Sequence, residues 1–139
     1  MEPWIMWFLS KLTIRSSIMK LTNILFTSLF IIATAAYAGE ADVIKVDVKR
    51  TGGDTYFFKV TVRHEDEGWD HYANKWDVVA PDGTILGTRT LYHPHVDEQP
   101  FTRSLSDVKI SESITEVTIR AHDSVHEYGG KTMSVANPR

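Results

Sequence analysis

From residue 39 onward the sequence predicts an all-β fold, a seven-stranded antiparallel β-sandwich. Apolar and polar residues alternate with a period of two in several short segments, as they do in strands that bury one face. Turn signals built on glycine and proline separate these segments, which is the pattern of a small antiparallel sandwich. No stretch with the 3.6-residue period of an amphipathic helix occurs between residues 39 and 139.

The first two strands are predicted on either side of a glycine turn. Ile44, Val46 and Val48 alternate with charged residues and indicate the first strand. Residues 51–54 read Thr-Gly-Gly-Asp and predict a hairpin turn, because glycine supplies the positive φ that such turns need. The second strand follows at residues 56–63, and its expected inward face consists of Tyr56, Phe58, Val60 and Val62.

The remaining strands follow the same pattern. Trp76 and Val78 mark the third strand, and Pro81-Asp82-Gly83 is the turn that leads to a fourth strand from about Thr84 to Tyr92. A short fifth strand covers residues 101–105. The connection 106–115 is expected to cover the core edge, the sixth strand spans 117–122, a loop spans 123–130, and a seventh strand spans 131–135.

This layout resembles the immunoglobulin or fibronectin type III fold. Trp76 stands where those domains have a core tryptophan in the third strand. The paired cysteines of true immunoglobulin domains are absent, because the chain has no cysteine. The resemblance concerns the fold alone and implies no particular function.

Residues 1–38 are predicted to be a secretory signal peptide, and residues 39–139 a single domain. Met19-Lys20 gives a positive start, an apolar run follows, and Ala36-Tyr37-Ala38 predicts cleavage before Gly39. The alternative is an uncleaved anchor, but the apolar core is short for a span of ~20 residues. Residues 1–18 are interpreted as a mis-called extension before the true initiator, Met19. The expected location is the periplasm or the extracellular space.

Composition excludes several classes of protein. Without cysteine there is no disulfide framework, thiolate zinc site, iron–sulfur cluster or lipid-modified cysteine. The formal charge of −3 becomes −5 once residues 1–38 are removed, which argues against nucleic-acid binding. We expect no membrane association after cleavage, and the sequence carries no signal of an oligomeric state.

All six histidines are predicted to lie at one end of the domain. If successive strands alternate in direction, the second, fourth and sixth connections meet at the same end. Those connections span residues 64–72, 93–100 and 122–130, and they include every histidine of the chain. The opposite connections contain none. The histidines are His64, His71, His93, His95, His122 and His126.

The first functional hypothesis is a site for a divalent transition metal, Zn(II) or Cu(II). Imidazole is the commonest metal ligand. The extended backbone expected before proline places the rings of His93 and His95 on the same side. Asp97 or Asp123 would orient rings as outer carboxylates, and His64 is a further ligand to be weighed with His71. The candidate ligands are His93, His95, His122, His126 and His71.

The alternative is a periplasmic protein-interaction or accessory module in which the histidine–carboxylate cluster is structural or pH-responsive. Its predicted contact surface lies on the same loops. The residues of that surface are Trp69, Tyr72, Tyr92, Asp97, Glu98 and Tyr128. No catalytic motif is present, neither a nucleophile elbow, nor His-Glu-x-x-His, nor a phosphate-binding loop, so the sequence predicts a binding protein rather than an enzyme.

Overall fold

The computed structural model describes residues 39–138, which fall within one compact unit. The predicted signal peptide, residues 1–38, lies outside the described residues. So does Met19, the predicted initiator. Between residues 39 and 138 the chain forms strands and no helix, so nothing there is a helix long and apolar enough to cross a membrane.

Seven strands make up the described chain. They are β1 (Asp42–Gly52), β2 (Thr55–Arg63), β3 (Ala73–Val79), β4 (Ile85–Thr90), β5 (Phe101–Lys109), β6 (Glu116–Asp123) and β7 (Met133–Ala136). All neighbouring pairs are antiparallel. A three-stranded sheet has the order β1-β2-β5, and a four-stranded sheet has the order β4-β3-β6-β7. The predicted all-β class, the number of strands and the antiparallel pairing are confirmed.

The core lies between the two sheets and follows the alternation of the sequence. In β2, Tyr56, Phe58, Val60 and Val62 are all buried. Trp76 of β3 is completely buried in the same cluster. Burial of each such side chain stabilises the fold by roughly 1.5–3 kcal/mol, so these positions hold the sheets together.

The structure departs most clearly from the sequence-based strands in β1 and β5. In β1 the register with β2 shifts between Val43 and Lys45, and this bulge resets the alternation. Val43 is consequently buried and Ile44 is not, although Val46 and Val48 pack on the core as expected. The fifth strand is longer than predicted because it continues pairing with β2 as far as Lys109.

The second, fourth and sixth connections meet at one end of the sandwich, as the strand count predicted. The backbone N–H of His64 donates to the Gln99 side chain (3.0 Å), which joins the second connection to the fourth. The backbone N–H of Ser124 donates to the carbonyl of Tyr72 (3.0 Å), which joins the second to the sixth. We call the three connections, residues 64–72, 91–100 and 124–132, the loop end.

Candidate metal centre

Three buried side chains converge at the loop end, two from the connection between β2 and β3 and one from β6. His64 follows β2 directly, His71 precedes β3, and Asp123 is the last residue of β6. One ligand atom from each of the three lies within 4.8 Å of the others. Two imidazoles and one carboxylate form a donor set that suits Zn(II) or Cu(II), so this group could hold a metal ion.

The distances within the group are close to those of a coordination shell. Nε2 of His64 is 3.2 Å from Nε2 of His71. The latter nitrogen is 3.1 Å from Oδ1 of Asp123. Ligand atoms about 2.1 Å from a tetrahedral zinc ion are about 3.4 Å apart, so both distances need only small adjustments.

A second carboxylate fixes the tautomer of His64. Nδ1 of His64 is 2.5 Å from Oδ1 of Asp66, and both side chains are fully buried. Because a carboxylate accepts, Nδ1 of His64 carries a proton, and in the neutral form of such a ring the lone pair is at Nε2. A carboxylate behind a histidine is the usual outer support of a zinc ligand.

Asp66 also ties the loop end together. Its carboxylate accepts hydrogen bonds from the backbone N–H of Ala73 (3.0 Å) and of His95 (2.6 Å). Burial by itself raises the pKa of Asp66, but the bonds from the His64 ring and these two N–H groups outweigh it and leave the pKa below its usual value. The group therefore stays a carboxylate at neutral pH.

Asp123 is held as an anion in the same way. Its Oδ1 accepts from the backbone N–H groups of Val125 (2.9 Å) and His126 (2.6 Å). Burial raises the pKa of Asp123, and these two bonds with the nearby imidazoles of His64 and His126 lower it further than burial raises it. Its other oxygen, Oδ2, is buried and has no hydrogen-bond partner among residues 39–138. Such an atom is costly unless something polar or cationic occupies its side.

The predicted metal ligands do not all lie in this group. His71 belongs to it. His126 lies beside it, with its ring centroid 5.0 Å from that of His71. Nδ1 of His122 donates to Oδ1 of Asn74 (2.7 Å), and the His122 ring packs edge-on against Tyr128.

His93 and His95 form a separate pair on the fourth connection. Their ring centroids are 4.7 Å apart, as expected of residues on the same side of an extended chain. His95 is buried and stacks on Phe101 at 4.0 Å, and within the described part of the chain neither of its ring nitrogens has a hydrogen-bond partner. Burial lowers the pKa of His95 first, and the charges of Arg103 and His93 lower it further. His93 is exposed.

The residues of the predicted contact surface differ in exposure: four are exposed and two are half-buried. Trp69 and Tyr92 are 67% and 78% exposed, and Asp97 and Glu98 are exposed as well. Glu98 is paired with Arg103 at 2.8 Å. The other two members of the predicted surface are half-buried: Tyr72 packs edge-on against Trp69, and Tyr128 donates from its hydroxyl to Asp77 (2.7 Å).

Sequence reasoning gave His64 and Asp123 secondary roles. The stretch His64-Glu65-Asp66 does indicate that His64 is a ligand, because a carboxylate two residues away can reach and orient its ring. Asp123 was expected only to orient another ligand. Its place in the group depends on its being opposite His71, 52 residues away in sequence.

The chain matches no protein-family model, and no solved structure matches it significantly. It is 43% identical over 96 residues to a protein of Halomicrobium mukohataei named "Putative lipoprotein". The match covers 69% of this chain and 47% of that protein. The chain therefore spans about half the length of the relative that it matches.

Proposed function

We propose that this protein binds one divalent transition-metal ion, Zn(II) or Cu(II), through His64, His71 and Asp123. The observation that carries the proposal is the convergence of three electron-pair donors in a buried place. No lysine or arginine of the described chain pairs with Asp123, and its Oδ2 has no partner. A cation between the donors would balance that charge.

The alternative occupant is a proton on Nε2 of His71. That proton can point at His64 or at Asp123, but a single N–H cannot make two straight hydrogen bonds. A proton would make the cluster a structural network that joins two of the three connections. We favour the metal because it satisfies all three donors at the same time.

Titration of the metal-free protein tests the proposal. Calorimetry with Zn(II) and Cu(II) should show one site, and an ion at 100 times its dissociation constant should stabilise the fold by about 2.7 kcal/mol. The variant His64→Gln/His71→Gln should lose both effects. The variant His93→Ala/His95→Ala should keep them if the site is the buried group. If this second variant loses binding and the first keeps it, the ligands are those that the sequence pattern favours. If no metal stabilises the protein, the metal proposal is wrong.

We further propose that the sandwich is of the immunoglobulin or fibronectin type III kind. The grouping of strands into sheets of three and four, with a fully buried tryptophan in β3, supports this.

We also propose that the protein acts in the periplasm or outside the cell. The apolar run and the Ala36-Tyr37-Ala38 sequence support export. What the name of the Halomicrobium protein says about lipid attachment concerns that protein, and it agrees with an extracytoplasmic setting. N-terminal sequencing of the exported protein should begin at Gly39.

A second candidate function is docking of another exported protein at the loop end. Of the five large hydrophobic side chains that are exposed in the described chain, four lie on these connections: Trp69, Tyr92, Val96 and Val125. Loss of a partner in the variant Trp69→Ala/Tyr92→Ala, at both pH 5.5 and 7.5, would support docking. Ile85→Ala is the matched control, because Ile85 is exposed on β4. Retention of every partner by the double variant would exclude this surface.

A further inference from the structure

The group of His64, His71 and Asp123 offers three protein ligands, one fewer than a closed zinc site has. Structural zinc sites are four-coordinate, whereas open sites leave the fourth position to water. The residues that surround the group therefore decide which kind of site this is.

Two nearby carboxylates are on the wrong side of the rings to be the fourth ligand. Asp66 contacts Nδ1 of His64, and Oε2 of Glu67 is 3.6 Å from Nδ1 of His71. In an imidazole Nδ1 and Nε2 point away from each other, and the donors of the group are the Nε2 atoms. Both carboxylates are thus outer supports that orient the rings.

His126 is a third histidine beside the group, in contact with both Asp123 and His71. Its Nδ1 is 3.4 Å from Oδ1 of Asp123, and its ring centroid is 5.0 Å from that of His71. The side chain is 37% exposed, whereas the side chains of His64 and Asp123 are fully buried. His126 is therefore the histidine that connects the buried donors with solvent.

The backbone holds His126 close to the group. Asp123 and Glu127 exchange backbone hydrogen bonds of 3.0 and 3.2 Å, which closes a tight turn around residues 124–126. The backbone N–H of His126 also donates to Oδ1 of Asp123. Movement of its ring toward the Nε2 atoms would then require rotation about the two side-chain torsions of His126.

We propose that His126 is the fourth protein ligand of the metal centre and closes over the ion after it has bound. This inference rests on the metal binding proposed above. It makes the site a closed one, with three imidazoles and one carboxylate. It also means that the ion reaches and leaves the buried donors past His126.

Metal binding by His126→Gln, compared with wild type and His122→Gln, tests the inference. His122 is the matched control because it lies four residues earlier and bonds to Asn74 instead. His126→Gln should bind Zn(II) at least about tenfold more weakly, and most of the loss should be a faster release of zinc to a chromophoric chelator. With Co(II) as the probe, its visible absorption should weaken as a water replaces the lost imidazole, and His122→Gln should leave both readouts unchanged.

Each outcome has a distinct meaning. If His126→Gln binds zinc with the wild-type affinity and gives the same Co(II) spectrum, His126 is not a ligand, although the buried site stands. If the wild type binds neither ion, both the metal site and the role of His126 are excluded. Thermal unfolding of metal-free His126→Gln should match the metal-free wild type, which shows that weaker binding is not a failure to fold.

Discussion

Two buried carboxylates on neighbouring strands, Asp77 of β3 and Asp123 of β6, have opposite surroundings. Both are completely inaccessible to solvent. Asp77 accepts from the hydroxyls of Thr88 and Tyr128, each at 2.7 Å, and pairs with the Arg120 guanidinium at 3.4 Å. Every oxygen of Asp77 has a partner and its charge is balanced by a cation.

Asp123 has no such balance. One of its oxygens accepts two backbone N–H groups, and the other has no partner. The side chains that contact its Oδ1 are the imidazoles of His71 and His126, which are cations only when protonated. Buried polar groups are normally satisfied, and the exceptions call for an explanation such as an ion. The comparison shows that burial alone does not make a carboxylate a candidate ligand, whereas burial with incomplete pairing does.

The largest effect should come from removing the satisfied carboxylate. Asp77→Ala leaves the Arg120 guanidinium and two hydroxyls without their partner, so the free energy of unfolding should fall by about 2–4 kcal/mol. Urea unfolding measures this loss. Zinc should still stabilise the variant as much as it stabilises the wild type. A variant that keeps its stability but loses the response to zinc would reverse the roles assigned to the two carboxylates.

Removing the charge of Asp123, the unsatisfied carboxylate, should leave the stability of the metal-free protein almost unchanged and abolish its stabilisation by zinc. In Asp123→Asn an amide oxygen can still accept from the N–H groups of Val125 and His126, so the metal-free protein should change by less than about 1 kcal/mol. The stabilisation of about 2.7 kcal/mol by zinc at 100 times its dissociation constant should be lost. Melting curves with zinc and with chelator measure both quantities. Full zinc stabilisation in Asp123→Asn would remove Asp123 from the ligand set.

The smallest effect concerns His95, the other incompletely paired group of the loop end. The pKa of His95 is lowered in the folded state, so below about pH 6.5 the unfolded chain binds more protons than the folded one. Stability is therefore present above that pH and is lost as the pH falls toward the folded pKa. His122, whose pKa is also lowered by burial and by Lys75, adds to the same slope.

The variant His95→Phe separates the contribution of His95 from that of His122. It keeps an aromatic ring against Phe101 and removes two unpaired nitrogens. The loss of stability between pH 7.5 and 5 should become smaller than in the wild type, as followed by urea unfolding of the metal-free protein. His122→Phe is the control for the remaining slope. An unchanged slope in His95→Phe would show that His95 does not titrate with folding.

The sequence predicted the sheets better than it predicted the site. Alternation in β2 depends only on which residues avoid water, and for this reason Tyr56 and Phe58 could be assigned to the core without coordinates. The bulge at Val43–Lys45 in β1 is not predicted, because the alternation of Ile44, Val46 and Val48 continues through it unbroken. The prominence of His93-Pro94-His95 came from adjacency in sequence, and stacking of His95 on Phe101 could not be inferred from it.

The sequence by itself determined the strands, the turns at glycine and proline, and the gathering of the histidine-bearing connections at one end, because these depend on local periodicity and on strand direction. Only the tertiary structure decided which side chains converge. His71 and Asp123 are 52 residues apart and meet because β3 and β6 pair in a particular register. The orientation of His64 depends on Asp66 behind its ring. Packing across strands and side-chain rotation set these contacts, and the spacing of residues along the chain predicts neither.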